Sequence, residues 1–519
     1  MKPHLLAPAD RNDPAAPAQW AEVARDLELG TVFDAMAGGD DYIRAVAARV
    51  IPPAAGAGDA TLVAYRQAAL RDALAHPQEL RALYDLVVDA INTRKQHYFL
   101  SLNRYASSTL YSAVEILRAL MKHLRRLRDH AAQIETIFES EAFRDLFLQL
   151  RTQLGDDWLI EGQAHLDVLR FSDGMMFGAA LGPGNNLVRQ VLYESNGAPS
   201  GWLTRLLRKT PSAYTFRLDP RDEAGARALS ELRDRTINEV ANAVAQAAEH
   251  VLSFLEILRA ELAFHLGCIR LRGRLDALGV PTCLPEFSAA TAPQLRASAL
   301  RDPTLALTMG RVPAATDFDA DDRRLLVVTG ANQGGKSTFL RSLGLAQIML
   351  QAGMFVAATS YAGTLASGVF THYKREEDPT MQGGKLDEEL VRMSSIADHI
   401  RPGAVWLSNE SFSSTNEREG SQLLLDIVGA LRDRGISVWM VTHLFDAARS
   451  LAAAQRDDAL FLRAPRAESG ERSFRLEVGE PLQTSFGVDV YAGVFGADAP
   501  GKITLLANQG IPYPAANRP

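Results

Sequence analysis

The stretch Leu325 to Leu340, LLVVTGANQGGKSTFL, leaves little choice of local structure. Four apolar residues, Leu325, Leu326, Val327 and Val328, run into Thr329 and then into Gly330, Ala331, Asn332, Gln333, Gly334, Gly335, Lys336, Ser337 and Thr338. An uninterrupted apolar run of this length reads as a short strand buried on both faces, the kind found in parallel sheets. From Thr338 to Gln351 the chain supplies Phe339, Leu340, Leu343, Leu345, Ile348 and Met349 as the apolar material of a following helix. Strand, Gly-x-x-x-x-Gly-Lys-Ser loop and helix, in that order, make a phosphate-binding loop. Its glycines let successive backbone N–H groups and the helix N-terminus approach a polyphosphate. In such a loop Lys336 reaches the β- and γ-phosphates and the Ser337 hydroxyl sits on a magnesium ion. A glycine-rich turn that merely precedes a lysine would not carry both flanking elements. The expectation is a nucleotide site over Gly330 to Thr338.

Two more apolar runs follow in chain order. Ala404-Val-Trp-Leu-Ser-Asn409-Glu410 reads as a strand ending in Asn-Glu, where such folds normally offer Asp then Glu. The first of that pair belongs to the magnesium shell and the second orients the attacking water. Ile436-Ser-Val-Trp-Met-Val-Thr442-His443 reads as a third buried strand, ending in a histidine placed to touch a γ-phosphate. A lone histidine is more often structural; this one follows loop and glutamate in order.

At 519 residues the chain is long enough for two or three domains. Hydrophobic content of 47% and charged content of 23% belong to a soluble globular class. The net charge of −7 means that any DNA-binding surface would be a local basic patch on an acidic body. Two cysteines, Cys268 and Cys283, make neither a disulfide framework nor a zinc site, and read as reduced packed thiols. No signal-peptide core or membrane-length apolar run is present, so a cytoplasmic protein without a membrane partner is expected.

Residues 1–19, rich in Pro, Ala and Asp, read as a flexible lead-in. From Trp20 the pattern is helical, with breaks at Pro52–Gly58 and at His76-Pro77. Leu110, Val114, Leu117, Met121 and Leu124 form a seam that requires a partner helix. Arg118, Lys122, Arg125, Arg126 and Arg128 lie largely off it, as a solvated face or a phosphate-contacting one. Over about residues 158–219 strand patterns intrude, at Leu166–Phe171, Asn186–Tyr193 and Tyr214–Leu218, with glycine-bearing turns between. Trp202 to Lys209 adds a basic amphipathic turn. Ile237, Val240, Val244, Ala247, Val251, Phe254 and Leu258 then mark a helix of lever length, uninterrupted by Pro or Gly between Ala226 and Leu266. Two long helices flanking a β-rich tip make an arm. The organisation expected is a helical core over 20–285, with that tip, and an ATPase domain over 286–519.

These landmarks resemble the MutS family of DNA mismatch-repair ATPases. Thr329 to Arg341 is similar to the family's TGPNMGGKST-x-hydrophobic-R, and Gln351 to Ala357 to its Q-x-G-x-(F/Y)-V-P. Asn409 to Gly420 is similar to DE-x-G-R-G-T-S-T-x-(D/E)-G, Val441 to His443 to ATH, and Thr484 to Ala492 to the late SYG segment. Upstream, Val63 to Gln67 is similar to an early helical motif, and the arm to the family's lever and clamp. The chain departs from the pattern as well. Asn409 stands at the Asp position, Arg311 lies near where the family stacks an aromatic on adenine, and Gln382-Gly383-Gly384-Lys385 replaces the S-x-S-T-F signature. The helical core begins within the first hundred residues, so no N-terminal mismatch-reading domain is expected. Nor is a helix-turn-helix clasp expected in the short tail Lys502 to Pro519.

The resemblance implies a multi-domain α + α/β architecture: a helical lever with a small β-rich clamp-like insertion, followed by an ABC-type P-loop ATPase domain. It implies a homodimer with ATP and Mg2+ between two ATPase domains, and a clamp on mismatched, branched or structured duplex DNA. A downstream repair protein is a further implied partner. In this scheme Asn332 and Lys336 hold phosphate, Ser337 and Asn409 hold magnesium, Glu410 polarises water, and His443 senses the γ-phosphate. Turnover is expected to be slowed by the uncharged Asn409. The alternative is a slow or inactive ATPase acting as an ATP-gated protein-binding scaffold. An ATP-dependent small-molecule enzyme has nothing beyond the loop to recommend it.

Overall fold

The computed structural model describes residues 2–8, 16–53, 59–97, 106–171, 176–183, 187–193, 219, 221–288, 292–330, 334–375, 384–454, 457–465 and 474–481. Its first part is helical: α1 (Trp20–Asp26), α2 (Leu29–Ala37), α3 (Asp41–Val50), α4 (Ala60–Ala75), α5 (Pro77–His97), α6 (Ala106–Ile134), α7 (Glu141–Gln153) and α8 (Asp156–Val168). Local chemistry sets several starts. The Asp40 carboxylate accepts from the Tyr42 and Ile43 amides at the head of α3, and Asp59 does the same for Leu62 in α4. Pro77 opens α5, where its missing N–H costs nothing.

The long helix α9 runs over Glu223–Ala277, 55 residues, capped by Asp222 on the Gly225 amide. At 1.5 Å per residue that is about 80 Å. Along its first half Ile237, Ala241 and Val244 are buried against Leu110, Ala113 and Val114 of α6 and Leu159 and Leu166 of α8. Along its second half Leu252, Leu255, Leu258, Leu262 and Leu266 enter the main core. One apolar stripe thus changes partners midway along a single rod.

The tip departs from the sequence reading. Leu166 to Phe171 is not a strand: Leu166 to Val168 close α8, and Phe171 sits in a turn with φ 49°. Leu159 and Leu166, two helical turns apart, are both buried on α6, so the helical period overrides local strand propensity. Beyond it β1 (Met176–Leu181) and β2 (Leu187–Tyr193) pair antiparallel. Trp202 to Lys209 and Tyr214 to Leu218 lie outside the described residues.

From residue 286 the chain alternates strands and helices. β3 (Glu286–Ser288), β4 (Leu295–Leu300), α10 (Pro303–Met309), β5 (Thr316–Asp319), β6 (Leu325–Gly330), α11 (Lys336–Gln351), β7 (Ser360–Thr364) and β8 (Val369–Tyr373) come first. Then follow α12 (Lys385–His399), β9 (Val405–Asn409), α13 (Glu417–Asp433), β10 (Ser437–Val441), α14 (Phe445–Ala453), β11 (Ala459–Ala464) and β12 (Glu477–Val478). A four-stranded sheet has the order β3-β7-β4-β5, and a six-stranded sheet the order β12-β11-β6-β10-β9-β8. In the larger sheet all pairings are parallel except β11 with β12.

The continuous apolar runs follow from burial on both sides. Leu326, Val328, Leu407, Trp439 and Val441 face the core shared with the helices, while Leu325, Val327, Trp406, Val438 and Met440 face a second cluster. The shared core extends from Leu5 to Leu476 without a break between the two parts. Leu27, after α1, packs into a notch on α11 at Gly344, where a Cβ would come within 2.6 Å of a Leu27 methyl and 2.8 Å of a Leu407 methyl. No helix among the described residues is long and apolar enough to cross a membrane.

Candidate active site

Parallel strands point their carboxyl ends to one edge, and open α/β sheets bind ligands there. Here β6 lies between β11 and β10, with β9 next, so the ends of the three strands singled out in the sequence are neighbours. Gly330 ends β6 with φ 114°, and a Cβ on it would come within 2.8 Å of the Ala464 nitrogen on β11. Only glycine fits that approach. Gly335, at φ 88°, is the N-cap of α11. Ala331, Asn332 and Gln333 lie outside the described residues.

Lys336 is 4% exposed and donates from Nζ to the Gly330 carbonyl at 2.8 Å. Burial pushes its pKa down, and the nearby Glu410 carboxylate acts in the opposite sense. The Ser337 hydroxyl donates to Asn409 Oδ1 at 3.0 Å, joining loop to β9. Glu410 turns out of β9 at φ 56°, its N–H donating to the Val441 carbonyl of β10 at 2.9 Å. One of its carboxylate oxygens lies 2.5 Å from His443 Nε2. That hydrogen bond holds the Glu410 pKa below the ordinary glutamate value; burial opposes it, and the charges of His443, Lys336 and Lys374 add to it. Lys336, Ser337, Asn409, Glu410 and His443 are therefore brought together.

The segment after Glu410 rests on a buried polar platform. Glu389 of α12, 3% exposed, accepts from the Phe412 amide at 2.7 Å and from the Ser414 hydroxyl at 3.0 Å. His372 of β8 meets the Ser411 hydroxyl through Nδ1 at 2.7 Å and the Glu389 carbonyl through Nε2 at 3.0 Å. Its ring stacks on Phe412 at 5.2 Å. Phe412 is itself left-handed, at φ 59°, and its carbonyl would lie 2.4 Å from a Cβ on Gly420. Neither Glu389 nor His372 stands in a motif that marks it as a site residue. Glu389 does carry a signal: Leu386, Glu389, Met393, Ile396 and Ile400 step by 3, 4, 3 and 4, which sets the glutamate on the buried seam of its helix.

A cavity of about 550 Å3 opens from the loop. Gly334, Gly335, Lys336, Ser337, Thr338 and Glu410 form its polar end. Met309, Arg311 and Val312 line it as well, and Phe474 packs over the loop, its carbonyl 3.3 Å from where a Cβ on Gly335 would stand; Met309, Val312 and Phe474 present exposed apolar surface. Exposed apolar surface in the same cavity as a cluster of polar groups suits a ligand that carries both a flat ring and charge. Phe474 was not legible as part of the site, since its strand-poor neighbourhood has no periodic pattern. Gln382, Gly383 and the segment Thr484 to Ala492 lie outside the described residues.

Two family models match the chain: the MutS2 N-terminal domain over residues 58–278 and MutS domain V over residues 326–510. Over 182 residues the chain is 31% identical to the DNA mismatch repair protein MutS of Methanosarcina mazei, a match covering 33% of this chain and 20% of that protein. It is 29% identical over 177 residues to the endonuclease MutS2 of Carboxydothermus hydrogenoformans, covering 34% and 21%. It is 29% identical over 187 residues to the DNA mismatch repair protein msh3 of Aspergillus fumigatus, covering 34% and 17%. The matches span about a fifth of these relatives' own lengths. With one family model on the helical part and another on the part that carries the loop, Glu410 and His443, this chain belongs to the MutS family.

Proposed function

We propose that the chain binds and hydrolyses ATP with magnesium and uses the nucleotide state to move a helical arm on duplex or branched DNA, working as a homodimer. The observation that supports the nucleotide part is the meeting of Lys336, Ser337, Asn409, Glu410 and His443 at one sheet edge, beside a cavity that also carries exposed apolar surface. The residues present fit the implied groups. Gly335 heads α11 at the loop, with Lys336 directly after it, and Ser337 and Asn409 offer two adjacent oxygen donors for a hard cation. Magnesium held there supplies positive charge to the phosphoryl oxygens.

The chain's own groups divide the remaining work. Lys336, almost fully buried, is held at the start of the loop by a carbonyl dipole, which a polyphosphate would outcompete with full negative charge. Glu410, kept ionised, orients a water for attack, and His443 fixes the direction of its carboxylate. The exposed apolar surface of Met309 and Val312 takes the base. The relatives' names concern mismatch repair and endonuclease action, and the arm built from α6, α9 and the β1–β2 hairpin is the part with the reach to grip a duplex.

The test is steady-state ATP hydrolysis with and without forked or four-way DNA. A DNA-dependent rate, lost in Glu410→Gln by about 10²–10⁴-fold while ATP still binds, supports the reading. Unchanged ATP affinity in Lys336→Ala sinks the site assignment. An ATP-gated protein-binding scaffold is the second reading, favoured by the uncharged Asn409. DNA held through phosphates weakens steeply with salt; indifference to both DNA and salt selects the scaffold.

A further inference from the structure

We propose that Arg341 is the positioning residue of the base end of the nucleotide cavity, and that α2 is the strut through which it meets the long helix. This rests on the nucleotide reading above. Arg341 lies on α11, five residues beyond Lys336, and carries two carboxylates from outside its own element. Its Nε donates to Asp302 Oδ2 at 2.6 Å, and its Nη1 donates to Glu28. Asp302 has no exposed side-chain surface, so its charge requires full pairing. Its other oxygen takes the Thr304 amide at 2.9 Å, the Leu305 amide at 3.0 Å and the Thr304 hydroxyl at 2.7 Å. Asp302 is thus the N-cap of α10, a seven-residue helix that ends at Gly310, φ 65°, and delivers Met309, Arg311 and Val312 to the cavity wall. Turning the Arg341 guanidinium shifts that wall as one piece.

The second carboxylate leads away from the cavity. Glu28 is the N-cap residue of α2, which packs on both α10 and α9. At the far end of α2 the Ala37 carbonyl accepts from Arg270 of α9. Gly38 makes room for that arginine, and Gly267 makes room for Met36, whose methyl would lie 3.0 Å from a Cβ there. Nine residues of helix span about 14 Å. A guanidinium fork at one end and an arginine cap at the other therefore tie the base wall to the lever. Glu28 and Asp302 both fall outside the segments matched by the two family models.

The experiment uses the full chain and two ligands: a fluorescent ATP analogue and inorganic tripolyphosphate, which lacks the base. Arg341→Gln is expected to weaken the analogue about tenfold and tripolyphosphate less than twofold. Glu28→Gln, at a half-exposed position that threatens no core, and Arg270→Gln, remote from the cavity, should each weaken the analogue about threefold and leave tripolyphosphate unchanged. Arg341→Lys keeps one charge for Asp302 but loses the fork. It should recover most of the analogue affinity, and in that background Glu28→Gln should have no further effect. Equal losses of both ligands in Arg341→Gln would mean that the residue only steadies the phosphate loop, and would overturn the proposal. So would wild-type analogue affinity in Glu28→Gln and Arg270→Gln. A wild-type chain that binds neither ligand overturns the nucleotide reading itself.

Discussion

Glu410 and Phe412 both hold left-handed backbone without being glycine, with Ser411 between them. Each such residue costs on the order of 1 kcal/mol and persists only where the surroundings over-determine it. Glu389 is the group that does so, through the Phe412 amide and the Ser414 hydroxyl. Glu389→Ala would leave a buried N–H without an acceptor. The expected result is a loss of about 1–3 kcal/mol in urea unfolding and a fall in kcat with ATP affinity near wild type. Glu389→Gln, which still offers one oxygen, should recover much of both. Lys336, Ser337, Glu410 and His443 were legible because strand and loop chemistry fixes where they stand. Arg341 with Glu28 was not, because an ion pair 313 residues apart in sequence leaves no periodic trace. Glu389 lies between these cases: its place on a seam was visible, and its partners were not.

Among the elements, α9 and β8 each bury a histidine that must stay neutral. His265 is fully buried beside Phe143 and Phe264, and His372 lies beneath Phe412; burial pushes each pKa down to about 4. Glu261, one turn from His265, accepts from the Leu5 amide at 2.9 Å, and its burial raises its pKa to about 7, against the pull of the Leu5 and Leu6 amides and Arg66. For the histidines the unfolded chain takes up protons first as pH falls below about 6.5, so their contribution is lost between pH 6.5 and about 4. Glu261 acts in the opposite sense: its contribution is full below about 4.5 and is lost as pH rises to about 7. Of these three groups, two against one, the net contribution is a stability that rises with pH from 4.5 to 6.5. Urea midpoints across that range check the direction, and Glu261→Gln should steepen the rise. The long helix was legible from its stripe of apolar residues. The end of α8 was not, because Leu166 to Phe171 carries strand-like residues whose fate is settled by α6.

On the scale of the whole molecule, one buried core draws residues from both sides of the boundary expected near residue 285. Asp26 accepts from the Thr371 hydroxyl at 2.7 Å, Gln67 donates to the Pro285 carbonyl at 2.9 Å, and Leu27 fills the notch at Gly344. A fragment of residues 286–519 would present that notch and the shared apolar face to water. Expressed alone it should elute as aggregate in size-exclusion chromatography, and co-expression with residues 1–285 should return it to a defined species. The notch has a consequence for descent as well. A recombination event that exchanged only the later half with a relative would bring in a helix shaped for someone else's neighbour. Leu27 and Gly344 are therefore expected to be inherited together: a lineage that widens one must trim the other, and the unit that selection can move between proteins includes the short helices at residues 20–37.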